Sequence, residues 1–289
     1  MAKWFAACLL ILFGTHAVAV TVVDDRGVQV TLLQPPQRIV TLLPSLAETV
    51  CVLGACNRLV GTDNFANWPE EVKQLPKLGG LDDTSLEALV RLKPDLVLAA
   101  RSARLINRLE SLGLKVLALE PQSQADVKRV MYTVASALLL PKPDATAEAV
   151  WQTALAQIAK AKIDMPAKAV GAKVYFEAST GGYAAGEASF IGAVMLQLGL
   201  RNVVPSNMGA FPQLNPEFVV RANPDIIFLA EPMAIDLHKR PGWSRLQAVK
   251  QQRICAFTPT QGDVLVRPGP RLGEAAQLMV ECMQHHFAP

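Results

Sequence analysis

Few residues in this chain are placed to make or break covalent bonds. Beyond its first nineteen residues the sequence has three histidines, His238 in a polar loop and His285 and His286 in the tail. They are too few and too scattered for a histidine-rich transition-metal site. No G-x-S-x-G, H-E-x-x-H, G-x-G-x-x-G or Walker A pattern occurs. The run STGGYAAGEAS (179–189) follows a strand-like KVYFEA, as a phosphate loop would, but lacks the Lys-Ser/Thr ending. A plain strand-to-helix loop lining a cleft is the better reading.

The loops that follow apparent strands carry recognition chemistry instead. Asp63, Asn64, Phe65 and Trp68 follow LVGT, Tyr183 lies in the glycine run, and Phe211 precedes Pro212. Asp263 and Arg267 belong to GDVLVRPGPR, where an arginine before proline is held on a stiff segment. Aromatic rings give contact area at little entropic cost, and a guanidinium offers a fork for carboxylate or phosphate. The candidate ligand contacts are therefore Phe65, Trp68, Tyr183, Phe211, Asp263 and Arg267. For Phe211 and for Trp243, core packing competes; for Arg271 the competing role is a solvent-facing helix-start charge. No catalytic residue and no metal ligand is assigned, so the expected activity is capture rather than turnover. An exported enzyme or a metallochaperone would need converging catalytic groups that no spacing here supplies.

The first nineteen residues read as an address. Lys3 is the sole charge before Asp24, FAACLLILF is an apolar run, and Ala17-Val-Ala19 is a small-x-small cleavage site. This is the layout of a secretory signal peptide, leaving Val20 as the mature N-terminus. Nine apolar residues span about 13 Å as a helix, far short of a bilayer core of about 30 Å. Export puts Cys51, Cys56, Cys255 and Cys282 in an oxidising compartment, where three pairings are open. Cys51 and Cys56 flank a helix end at Gly54, while Cys255 sits in a strand-like RICAFTP and Cys282 in the last helix, so Cys51–Cys56 and Cys255–Cys282 are favoured. Buried free cysteine stays open, above all for Cys51, and no C-x-x-C or suitably spaced histidine points to zinc.

Those side chains need a scaffold, and the sequence writes it twice. LEALVRLKPDLVLAA (86–100) and PEFVVRANPDIIFLA (216–230) share Glu87/Glu217, Val90/Val220, Arg91/Arg221, Pro94/Pro224, Asp95/Asp225 and Ala100/Ala230. In each copy Ser85 or Asn215 can cap a short helix, Glu lies in its first turn, and Leu89/Val90 or Val219/Val220 face the core. The helix must stop before Pro94 or Pro224, and a branched apolar run follows as a buried strand. Helix and strand then alternate again through NRLESLGLKVLAL (107–119) and SRLQAVKQQRICAF (244–257), which implies parallel sheets.

Two α/β lobes result, at 20–122 and 168–270. The connector 123–167 should hold an amphipathic helix over 124–140 and a long helix over 144–163. The latter is about 30 Å of rigid strut. A last helix, 271–289, closes the chain. The whole sequence has 289 residues and 51% hydrophobic content, which excludes intrinsic disorder, and its formal charge of +3 argues against a nucleic-acid partner.

With these pieces in order, the chain resembles the helical-backbone periplasmic solute-binding proteins of ABC importers, whose members bind vitamin B12 and ferric siderophores. The resemblance rests on residues 22–69 (VVDDRGVQVTLLQPPQRIVTLLPSLAETVCVLGACNRLVGTDNFANWP), on SLEALVRLKPDLVLA and on RPGPRLGEAAQLM. It implies two lobes bridged by one long helix and a ligand cleft between them, and a helical strut in place of flexible strands predicts modest lobe closure. It also implies a membrane permease dimer with a cytoplasmic ATPase as partners, and a receptor that acts as a monomer. Glu87 and Glu217 match the family's permease-docking glutamates. Among the family the likeness is nearest to the vitamin B12 receptors, with Phe65 and Phe211 at aromatic positions and Asp263–Arg267 as a ligand-contacting loop. Leu81 and Ala100 depart from two expected tryptophans. A corrinoid is thus the expected cargo; an iron chelate such as a ferric siderophore or haem, drawing on anion-binding cations such as Arg101, Arg104 or Arg267, is the alternative, and no resident cofactor is expected.

Overall fold

The computed structural model describes residues 19–287, so the leader read at 1–19 lies outside the described residues apart from Ala19. A hairpin of β1 (Val20–Val23) and β2 (Gln29–Leu32) precedes the first lobe. That lobe runs β3 (Ile39–Thr41), α1 (Pro44–Val50), β4 (Leu59–Thr62), α2 (Leu86–Arg91), β5 (Leu96–Ala99), α3 (Ile106–Ser111) and β6 (Val116–Ala118). Its sheet is wholly parallel in the order β4-β3-β5-β6. Every residue of β3, β5 and β6 is buried, as expected of parallel strands covered on both faces.

Two connector helices follow, α4 (Gln124–Ala137) and α5 (Pro143–Ile163). The second lobe contains β7 (Lys173–Ser179), β8 (Tyr183–Ala184), α6 (Phe190–Gln197), β9 (Arg201–Asn202), α7 (Pro216–Ala222) and β10 (Ile226–Ala230). It continues with α8 (Glu231–Ala234), α9 (Gln247–Lys250), β11 (Ile254–Phe257) and α10 (Pro259–Val266), before the terminal α11 (Leu272–Phe287). Here β11-β10-β7 are parallel, β9 extends β7 in parallel, and the short β8 returns antiparallel on β7. The fold is therefore α/β with a parallel sheet in each lobe. The 21-residue α5 buries Ala147, Trp151, Ala154, Ile158 and Ala161 and packs against both α4 and α11.

The repeated segment folds the same way twice, for a visible reason. The Ser85 hydroxyl accepts from Ala88 N, and the Asn215 side chain accepts from Glu217 N, so both short helices are capped. Before each Pro-Asp pair the chain turns left-handed, at Lys93 (φ 47°) and Asn223 (φ 44°). Asp95 then accepts from the backbone N–H groups of Gln37 and Arg38 at 2.7 and 3.0 Å, and Asp225 accepts from Lys173 N at 2.8 Å. Each carboxylate thus grips the start of the neighbouring strand. The same neighbours reach back: Arg38 donates to Leu92 O and Lys173 to Ala222 O, satisfying carbonyls at the two helix ends.

Some expectations need correction. Leu89 and Val219 are buried and Val220 packs partly buried against the core, whereas Val90 is 41% exposed. α4 ends at Ala137 and the last helix begins at Leu272. Residues 179–189 do not run directly from strand to helix. Gly181 and Gly182, both at φ 81°, turn the chain into a hairpin that pairs Tyr183 with Ser179. Cys51 is bonded to Cys56 across the left-handed Gly54, and Cys255 on β11 to Cys282 on α11, with Cα separations of 4.0 and 6.0 Å.

Candidate functional site

Parallel strands finish at one edge of each sheet, and in open α/β sheets ligands bind in the crevice outside those ends. After β4, the Asp63 carboxylate accepts from Phe65 N at 2.7 Å and from Ala66 N at 3.1 Å, folding a tight turn. Burial pushes this carboxyl above its usual range. The turn holds the Phe65 ring outward, 65% exposed, close beside Gly80. A Cβ at residue 80 would crowd both Phe65 and the Asp83 carboxylate. Leu81 beside it is also exposed.

Arg267 stands at the centre of a charge cluster that joins elements more than 200 residues apart. It is 7% exposed and donates to Glu48 Oε1 (2.8 Å), Asn67 Oδ1 (2.8 Å) and the Phe65 carbonyl (2.9 Å), and pairs with Asp263 Oδ2 (2.7 Å). Asp263 also accepts from Asn67 Nδ2 at 2.8 Å. Glu48, 1% exposed on α1, lies 3.8 Å from Arg271 as well, and burial raises its carboxyl pKa against the pull of both arginines. Arg271 pairs with Glu274 at 2.6 Å and lies over the Trp68 ring, 4.7 Å from its centre. It does not face solvent, contrary to the helix-start reading. A buried guanidinium must satisfy its N–H groups, and here protein oxygens do so. Arg267, expected among the ligand contacts, is thereby tied to the protein.

The other candidates lie in the second lobe. Tyr183 is 43% exposed on β8, and its backbone bridges to that of Gln213. Phe211 is half-buried against Phe190, with ring centres 5.8 Å apart. Their loops run together: Ala184 N donates to Pro212 O and Gly186 N to Ala210 O. Trp243 is core, edge-on to Tyr175. So Phe65, Trp68, Asp263 and Arg267 form one group at the lobe junction, and Tyr183 and Phe211 form a second.

Glu48 and Asn67 belong to the junction and escaped the sequence reading. The signal for Glu48 was a lone carboxylate inside the otherwise apolar PSLAETVCVL. The sequence offers Arg101 as an anion-binding cation, but not the cavity of about 710 Å³ beyond the ends of β5 and β6 that it lines with Asp25, Ser102, Glu120 and Gln122. Gln122 O accepts from Phe190 N at the start of α6, so this cavity too adjoins the second lobe. The docking candidates Glu87 and Glu217 are exposed, and each meets the arginine four residues on, Arg91 at 2.7 Å and Arg221 at 3.8 Å.

Among the described residues, Cys255, Cys282 and His286 are the trio whose ligand atoms lie within 4.8 Å of one another, but both sulfurs are bonded to each other and offer no thiolate. No described helix is long and apolar enough to cross a membrane.

Comparisons with known proteins agree with this architecture. The chain is 30% identical over 276 residues to an uncharacterised ABC transporter substrate-binding lipoprotein of Bacillus subtilis, covering 92% of this chain and 86% of the relative. It is 26% identical over 250 residues to a vitamin B12-binding protein of Salmonella paratyphi A, covering 85% and 90%. A periplasmic heme-binding protein from Roseiflexus superposes with a TM-score of 0.72 at 25% identity, covering 87% of this chain and 99% of that one. The family profile for periplasmic binding proteins matches residues 39–260. With two α/β lobes, a long bridging helix and that match, the chain belongs to the periplasmic binding protein family, the substrate-capturing components of ABC importers, which work with a membrane permease and an ATPase.

Proposed function

We propose that this protein captures a corrinoid between its lobes and presents it to an importer permease. The observation that carries the reading is the Phe65 ring, exposed at the lobe junction on a turn held by Asp63 and, from the far side, by Arg267. An exposed aromatic on a rigid turn offers a flat apolar surface with little ordering cost on binding, which suits a wide macrocycle. The relatives named as vitamin B12-binding proteins support the same cargo. No catalytic role is assigned, and Arg267, Asp263 and Asn67 are engaged in holding the loops.

A second reading is haem. The exposed phenol of Tyr183 on the glycine hairpin could ligate haem iron, and the solved heme-binding relatives share the fold. Calorimetric titration of the purified protein with cyanocobalamin, haemin and a ferric catecholate separates these cargoes. Tight binding of cyanocobalamin, weakened about tenfold or more by Phe65→Ala, is the expected result. Haemin binding that is lost in Tyr183→Phe, with none of cyanocobalamin, would replace the corrinoid by haem.

Docking is proposed to use Glu87 and Glu217, one from each repeated helix. A receptor with two copies of one surface is matched to a twofold permease, and both carboxylates are exposed with only surface ion pairs to give up. Glu87→Ala combined with Glu217→Ala should leave cargo affinity unchanged and abolish receptor-dependent uptake. Unchanged uptake would remove the docking role. Because α5 is a continuous helix rather than a flexible linker, lobe closure on binding is proposed to be small.

A further inference from the structure

The cavity beyond β5 and β6 contains charges the protein has paired and charges it has not. Arg129 is tied to Asp25 and to Asp126, its Nη2 lying 3.2 Å from Asp25 Oδ2 and 3.1 Å from Asp126 Oδ1. Asp25 further accepts from Glu120 N at 2.7 Å, and Asp126 from the Ser123 hydroxyl at 2.8 Å. Arg101 and Glu120 also line the cavity. Their side chains make no hydrogen bond or ion pair with any described residue, nor do they pair with each other. A cation and an anion thus face the same space without meeting.

We infer that this cavity is a subsite for the primary carboxamide groups of the cargo, with Arg101 donating to an amide oxygen and Glu120 accepting from the amide N–H. The inference rests on the corrinoid reading and deepens it. A corrinoid rim carries neutral carboxamides, whereas haem presents carboxylates. The cavity wall holds the three acids Asp25, Glu120 and Asp126 against the two bases Arg101 and Arg129. A carboxylate entering it would gain Arg101 but meet Glu120 and an excess of negative charge. A carboxamide uses both free groups and carries no charge to be repelled.

Position supports the same role. Arg101 and Glu120 each lie two residues beyond the last residue of a strand, on the sheet edge that also carries Asp63 and Phe65. The apolar ring at one end of that edge and the polar cavity at the other divide the junction between a macrocycle's face and its rim.

The test compares cyanocobalamin with its monocarboxylic acids, in which one rim carboxamide is hydrolysed and the ring is unchanged. Titration of the wild-type protein should show at least one of these acids binding about tenfold or more weakly than cyanocobalamin, one lost hydrogen bond plus repulsion. Glu120→Gln, which keeps the shape and removes the charge, should bring that ratio close to one. Arg101→Gln should weaken cyanocobalamin itself by about tenfold. Neither side chain has a protein partner to lose, and matched thermal unfolding of the variants checks that the fold is intact. Equal wild-type affinity for cyanocobalamin and all its acids, or a ratio unmoved by Glu120→Gln, would overturn the subsite while the corrinoid reading stands. No binding of cyanocobalamin by the wild type would overturn both.

Discussion

The two copies of the repeated unit agree where their strands begin and differ where they end. At the beginnings, Asp95 and Asp225 grip the neighbouring strand, Arg38 and Lys173 close the helix carbonyls, and Lys93 and Asn223 make the same left-handed turn. Beyond the ends, Arg101 and Ser102 open into a polar cavity in one lobe, while Glu231 starts a short helix in the other. Hydrogen bonds at the base satisfy strand starts and helix ends whatever the far edge carries. The far edge is therefore free to take on separate tasks, and here it holds the exposed ring, the cavity and the charge cluster that joins the lobes.

If that division is correct, the largest effect of substitution falls on the cluster, which exists only once. Arg267→Met leaves Glu48 buried between lobes without its nearest cation, and should cost about 3–5 kcal/mol in urea unfolding. A loss below about 1 kcal/mol would mean the cluster is not holding the lobes together. Next come the bases of the two copies. Asp95→Ala and Asp225→Ala should each cost about 1–3 kcal/mol and add when combined, since they lie in different lobes. A large difference between them would break the equivalence of the copies.

Asp126 tests the rim. Its partial burial favours the protonated form, but hydrogen bonds from Ser123 and Arg129 bring the carboxyl down to about 2. Because the folded-state value lies below the unfolded one, its stabilisation is present above the ordinary carboxylate pKa and is lost as pH falls through about 2. Asp126→Asn should cost about 1 kcal/mol at neutral pH, and the difference from wild type should vanish in unfolding measured near pH 2.

The smallest effect contrasts two helix ends. Gly113 (φ 80°) and Gln252 (φ 53°) occupy matching left-handed positions, each followed by an N–H bonded five residues back, Leu114 to Leu109 O and Arg253 to Ala248 O. Gln252→Gly should raise stability by about 0.5–1 kcal/mol in thermal unfolding, and Gly113→Ala should lower it by a similar amount.

The backbone of this fold was largely legible. Pro-Asp followed by LVLAA or IIFLA marks a helix stop and a buried strand by local sterics alone, and both strands lie there. Shorter signals failed where tertiary contact overrode them. Val90 reads as core because it is apolar beside Leu89, yet only packing decides which of two neighbours a one-turn helix buries. The glycine run reads as a loop, but Gly181 and Gly182 close a hairpin because β7 offers an edge for β8.

The candidate site divides along the same line. Phe65 could be placed from sequence, since an aromatic just after a strand end stands at the sheet's edge. Arg267 could be named but not understood, since three of its partners, Glu48, Phe65 and Asn67, come from segments that meet it only in the folded chain. Glu48 and Asn67 lie about 200 residues from Arg267, and Arg101 and Glu120 come from the ends of different strands. Local sequence determines which residues bend, cap or extend the chain, because those preferences act within a few bonds. Which charges meet, and which are left facing a cavity, is decided by distances that only the assembled lobes define.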